Sequence, residues 1–245
     1  MLVTGAARGI GRAIAAAFAH HGGTVAVHYR SSGAEAQALA RSLSGQGHAA
    51  FRADVSDPAA GEKLVNEVVG RYGRLDVLVN NAAIYEVKPL QDLSYADWQA
   101  TWKRTLDANL VGPANLCFLA AKIMMKQNSG KIINISSRGA FRGEPDAPAY
   151  GAAKAGLNQL SQSLAWALAQ YNIFVGVVAP GFVRTDMAAE LLDGPQGDAI
   201  RKQSPLNRVA TPEEIAEAVI RLAADGMLYA TGCILDVNGA SYLRS

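Results

Sequence analysis

The feature that most limits what this chain can fold into is its alternation of short β-branched runs with longer amphipathic ones. Strand candidates fall at 2–4, 24–28, 49–53, 75–79, 131–135, 174–178 and 234–237. Helical periodicity fills the intervals at 9–20, 34–43, 58–72, 95–126, 148–170 and 212–224. Strict β-α-β alternation implies a parallel sheet with helices on both faces, because each crossover must carry the chain back across the sheet. The expectation is therefore a doubly wound α/β fold.

At 245 residues, 50% hydrophobic and 18% charged, the chain can fill one core, so a single domain over 1–245 is expected. No repeat or linker interrupts it. The longest stretch without periodicity, 182–207, reads as a flexible cover over a site. The net charge is +2 with scattered basic residues, so no nucleic acid and no membrane surface is expected as a partner. Cys117 and Cys233 each sit in an apolar run, which suggests buried thiols in a reducing compartment. The opening MLVTGA reads as neither a signal peptide nor a span, and no apolar run reaches the ~18 residues a bilayer requires. A cytoplasmic protein is expected. The first strand is clipped to a few residues, which suggests a start upstream.

Two stretches carry chemistry. SRGAFRGEPDAPAYGAAK, from Ser137 to Lys154, follows the apolar run KIINIS, so Ser137 stands at a strand's carboxyl end, where open α/β sheets place ligands. Tyr150 and Lys154 are four apart on a helix opened by Pro148, which stacks them on one face. An ammonium beside a phenol favours the phenolate, so a lowered Tyr150 pKa and acid or base duty are expected. TGAARGIG places Gly5, Gly9 and Gly11 where a strand ends and a helix opens, so backbone N–H groups can approach a pyrophosphate.

Together with NNAA (Asn80 to Ala83), Asn109 and APGFVRT (Ala179 to Thr185), these blocks resemble the short-chain dehydrogenase/reductase family, in its order and spacing across nearly the whole chain. The resemblance implies a Rossmann fold and a nicotinamide-dependent oxidoreductase. It implies Tyr150 as general acid in carbonyl reduction, Lys154 as its partner and as a ligand of the nicotinamide ribose, and Ser137 as polariser of the carbonyl. Asn109 would order a water that resupplies protons. Cofactor contacts are implied for Gly5, Arg8, Gly9, Ile10 and Gly11 in the first turn, Asp54 and Val55 at the adenine, and Asn81 and Ala82 beside the sheet. Pro180, Gly181, Val183 and Thr185 would touch the nicotinamide, together with Tyr150 and Lys154.

NAD-preferring members place an acid at the end of the second strand, where this chain has Tyr29. Arg30, Ser31, Ser32 and Arg8 instead suit a 2′-phosphate, so NADP(H) is favoured over NAD(H). Solvated surface charge is the alternative for Arg8 and Arg30.

The chain departs from the family pattern at Ala83, where Gly is usual, and at Gly176, where Asn is frequent and a loss of bracing is expected. DVNGA at 236–240 stands near an end through which many relatives tetramerise, so a homotetramer is implied, with a dimer second.

The nearest branch is the 3-oxoacyl-[acyl-carrier-protein] reductases, which implies an acyl-thioester substrate, with a small-molecule ketone, sugar, steroid-like or pterin-like substrate as the alternative. Asn128 and Tyr171 stand where basic residues help such reductases hold the carrier. Arg138 and Arg142 either read an anionic group or pair with Glu144 or Asp146. The four histidines have no ligand spacing, and no metal is assigned. Trp98, Trp102 and Trp166 read as core or subunit packing. A non-catalytic NADPH sensor is the alternative from another class.

Overall fold

The computed structural model describes residues 1–244, and at 187 and 190 the backbone alone; Ser245, the last residue of the expected domain, lies outside the described residues. A seven-stranded parallel sheet forms the centre: β1 (Leu2–Val3), β2 (Ala26–Tyr29), β3 (Ala49–Arg52), β4 (Val77–Asn80), β5 (Gly130–Ile135), β6 (Ile173–Pro180) and β7 (Ile234–Val237). Their order is 3-2-1-4-5-6-7. The winding direction reverses between β1 and β4, which opens a crevice at the carboxyl ends of those strands.

Register explains the two cores. Leu2, Leu78, Ile132 and Val175 are aligned across four strands, and their sequence neighbours Val3, Val79 and Ile133 form the next row. Adjacent residues point to opposite faces, so the first row joins Leu64, Leu116 and Met124 and the second joins Ile14, Phe18 and Val219. Both faces are apolar because helices cover both.

Helices α1 (Gly9–His20), α2 (Gly33–Ser42) and α3 (Pro58–Tyr72) follow the first three strands. In α3, Asp57 caps two backbone N–H groups, Pro58 opens the helix, and Gly73 closes it at φ 72°.

The helix expected over 95–126 is α4 (Tyr95–Leu106) and α5 (Gly112–Gln127), joined by a wide π turn at Asp107–Val111. Pro113 has no N–H to offer the Asn109 carbonyl four residues back, so regular winding cannot continue there. The whole run Tyr95–Gln127 contains an 18-residue window of mean hydropathy 1.3, half of it buried in the fold. By length and composition alone that run meets the bilayer criterion, which corrects the expectation from sequence.

α6 (Pro148–Leu168) carries the Tyr-Lys pair. The stretch 182–207 was expected to lack regular structure and instead holds α7 (Asp186–Asp193) and α8 (Gly197–Arg201). Eight and five residues are too few for periodicity to declare itself. α9 (Pro212–Ala223) opens with a capping box between Thr211 and Glu214, and it packs on α1. At Gly176, where a loss of bracing was expected, the Phe174 ring stands 2.6 Å from where a side chain would begin.

Candidate active site

The first turn is built by glycine. Gly5 and Gly9 have φ of +62° and +53°, a region that L side chains rarely adopt, and a Cβ on Gly5 would stand 3.0 Å from the Ala82 Cα. Gly11 lies beneath the turn, where a Cβ would fall 2.3 Å from the Gly5 carbonyl oxygen. Thr4 holds the opposite wall. Its hydroxyl accepts from the backbone N–H groups of Asn81 at 2.9 Å and Ala82 at 3.0 Å, and it donates to the Val79 carbonyl. The Asn81 side chain donates to the Thr4 and Gly5 carbonyls.

His28 completes the frame. Its Nδ1 accepts from the Gly5 N–H at 3.0 Å, so the proton is on Nε2, which faces the Ala53 carbonyl at 3.1 Å. Burial pushes its pKa down to about 4.

A cleft of about 590 Å³ opens over these strand ends. Gly5, Arg8, Gly9 and Ile10 line one end of it, with Tyr29, Arg30, Ser31 and Ser32 beside them. Asp54 and Val55 follow β3, and Asn81 and Ala82 follow β4. Pro180, Gly181, Val183 and Thr185 line the side formed after β6. Partial burial works to raise the Asp54 pKa, but hydrogen bonds from Ser56 and the charge of Arg30, 3.9 Å away, hold it below the carboxylate range. A cradle of backbone N–H groups with no side chain in the way, ending at two cations and two hydroxyls, fits a phosphorylated dinucleotide.

The other end of the cleft holds the reactive side chains. Ser137, Tyr150 and Lys154 all line it. Lys154 is buried and its Nζ donates to the Ile135 carbonyl at 2.8 Å. Burial pushes its pKa down to about 8. Tyr150 departs from the expectation of a lowered pKa. Burial around its hydroxyl pushes it up to about 12, with the Ser137 hydroxyl acting against the rise and Glu144 and Tyr85 adding to it. The Lys154 ammonium lies 5.7 Å from the phenol ring centroid and is committed to a carbonyl, so it does not offset the desolvation.

Asn109 lies just outside the cleft, fully buried. Its side chain accepts from the Ile84 N–H and donates to the Ile84 carbonyl, both at 2.8 Å. That amide is not free to order a water and instead fixes the loop carrying Tyr85. A buried polar chain runs from Asn80 through Asn134 to Ser161, tying β4 and β5 to α6.

Sequence reasoning missed Thr4, His28, Tyr85 and Phe182. Tyr85 packs edge-on against Tyr150 with centroids 4.9 Å apart. Its place just after NNAAI was the available signal. Nothing in sequence marks His28, whose importance is purely spatial.

A family profile described as enoyl-(acyl carrier protein) reductase matches residues 5–240. The chain belongs to the short-chain dehydrogenase/reductase family. It is 39% identical over 244 residues to a 3-oxoacyl-[acyl-carrier-protein] reductase of Staphylococcus aureus, covering 99% of this chain and 97% of that one. It is 37% identical over 246 residues to a D-threitol dehydrogenase of Mycolicibacterium smegmatis, covering 99% and 92%. A 3-oxoacyl-[acyl-carrier-protein] reductase of Chlamydia trachomatis is 39% identical over 241 residues, covering 97% and 95%. The family is one of nicotinamide-dependent oxidoreductases, so the chain is an oxidoreductase. The substrates in these names differ, while each names a reductase or a dehydrogenase.

Proposed function

We propose that this protein is an NADP(H)-dependent reductase of carbonyl compounds, with Tyr150 as proton donor, Ser137 polarising the carbonyl oxygen and Lys154 fixing the nicotinamide ribose. The observation that carries the reading is the placement of Tyr150 and the buried Lys154 beside Ser137 in the same cleft as the glycine cradle. A reduced nicotinamide bound there supplies the hydride. Tyr150 supplies the proton to the oxygen, and a pKa near 12 keeps it protonated at neutral pH, which suits reduction. The Asn109 backbone carbonyl, denied its regular helical donor by Pro113, is the group left to hold a water on the proton path.

Preference for NADP(H) rests on Arg8, Arg30, Ser31 and Ser32 at the ribose end, with no carboxylate at position 29. The segment 182–207 serves as a substrate cover, with Ala188 and Leu191 of α7 turned to the cleft. A homotetramer in the cytoplasm belongs to the same reading. It is supported by the exposure of Trp166 (91%), Phe118 (63%) and Tyr229, surfaces that subunit packing would bury, and by two free thiols.

The experiment is NADPH oxidation with acetoacetyl thioester and with free ketones, repeated with NADH and with Tyr150→Phe. Loss of turnover in Tyr150→Phe with retained NADPH binding supports the enzyme. Unchanged biological activity of that variant with NADPH bound would move the protein to the sensor reading. A carrier-bound acyl chain is the second substrate reading, favoured by the names of two relatives.

A further inference from the structure

Arg138 and Glu144 lie on the loop between Ser137 and Tyr150, and both line the cleft. They carry opposite charge, yet among the described residues no carboxylate lies within 4.0 Å of the Arg138 guanidinium, and the Glu144 carboxylate accepts no hydrogen bond. Arg138 is 95% buried, from a relative exposure of 5%. Its Nη2 donates to Gln203, its Cζ lies 4.8 Å from the Phe182 ring centroid, and its Nη1 is buried without a partner among the described residues.

The Glu144 carboxylate packs against Gly139, where a Cβ would stand 2.7 Å from its Oε1. Burial raises the Glu144 pKa, and its charge raises those of Tyr85 and Tyr150.

The Arg138 Nη1 is buried without a partner among the described residues and the Glu144 carboxylate accepts no protein hydrogen bond there, so a group that reaches both gains at each. The bridging group must donate to a carboxylate and accept from a guanidinium, which a hydroxyl does on both counts. A net anion would answer Arg138 but be repelled by Glu144, whose charge also acts on Tyr85 and Tyr150. A long acyl chain would leave both charges unanswered. Tyr85 and Phe182 also line the cleft and give a short carbon skeleton apolar surface to lie against.

Building on the carbonyl-reductase reading, we infer that the substrate is a short polyhydroxylated ketone, whose hydroxyls beside the carbonyl are read by Glu144 and Arg138. The reaction adds hydride to the ketone carbon and the Tyr150 proton to its oxygen, giving a polyol and oxidised nucleotide.

The test compares 1,3,4-trihydroxybutan-2-one with butanone, pyruvate, an aminoketone and acetoacetyl thioester, using NADPH. It includes Glu144→Ala, Glu144→Gln and Arg138→Met, and measures binding of the matching tetritol by calorimetry in the presence of NADP+. The triol should exceed butanone in kcat/KM by about 100-fold, as two hydrogen bonds to charged groups would give. That ratio should fall about tenfold or more in Glu144→Ala and in Arg138→Met, which keeps the packing on Phe182, with the tetritol Kd rising in step. Glu144→Gln, still an acceptor, should recover part of it.

Equal rates on triol and butanone, a preference for pyruvate, the aminoketone or the thioester, or an unchanged ratio in all three variants would overturn the inference and leave the reductase reading standing. Absence of turnover on every carbonyl with either nucleotide would overturn both.

Discussion

Thr4→Val is the sharpest test of how the cleft is framed. Valine keeps the shape of threonine and removes one oxygen, which is 1% exposed at residue level and accepts from two backbone N–H groups at 2.9 and 3.0 Å. Without it, Asn81 and Ala82 have no side-chain acceptor at β4's end. A dry orphaned N–H costs about 1–3 kcal/mol, and both residues are only partly buried, so the lower end applies: about 1 kcal/mol each. The lost donation to Val79 at 3.3 Å adds about 0.5 kcal/mol more. The sum is about 2–3 kcal/mol, or roughly 4–12 °C in Tm for a chain of this size. Urea unfolding should move its midpoint at constant slope. NADPH should bind more weakly as well, since the same two residues face the glycine turn. Thr4→Ser keeps the oxygen and should recover most of the loss. A Thr4→Val protein within 0.5 kcal/mol of the parent, or a Thr4→Ser protein as damaged as the valine variant, would refute the argument and assign the effect to the methyl group.

Four further perturbations follow from the structure. His28 is a base whose folded pKa, about 4, is below its ordinary 6.5, so the unfolded chain takes up the proton first and stability falls as pH drops from 6.5 toward 4. The loss should be about 2 kcal/mol between pH 7 and pH 5, and denaturant titrations at the two values should find it absent in His28→Asn. Gly11→Ala, with its methyl driven against the Gly5 carbonyl, should weaken NADPH binding by about tenfold or more in a fluorescence titration. By contrast, Gly70→Ala on the open face of α3 should raise stability by about 0.5–1 kcal/mol. Asn134→Ala would leave the Asn80 amide only the Cys117 sulfur as acceptor and the Ser161 hydroxyl only its donation to Leu157, and should cost about 1–3 kcal/mol by urea unfolding, with kcat falling because α6 carries Tyr150.

The strands were legible because each is a short apolar run, and most were placed within two residues. Helix caps were equally plain where chemistry marks them, as at Asp57-Pro58 and Thr211-Pro212. Motif order carried the cleft: among the residues picked for cofactor and catalysis, only Gly11 and Asn109 lie off its lining. What sequence could not supply was the balance of opposing terms. The Tyr150-Lys154 spacing is visible, but which wins, the ammonium or the burial, depends on where Nζ points. The separation of Arg138 from Glu144 is likewise a distance, and in sequence the pair looks like an ordinary salt bridge.

The π turn at Asp107–Val111 has a consequence for how this protein can vary. A helix advances ~100° per residue, so one extra residue in the turn resets the phase between α4 and α5. α5 keeps Leu116 and Met124 on the sheet, while α4 keeps Thr101 and Thr105 on its own buried side. Removing a single residue there would rotate one half against the other and expose a buried face. Substitution along this rod is therefore tolerated far more readily than a change in its length.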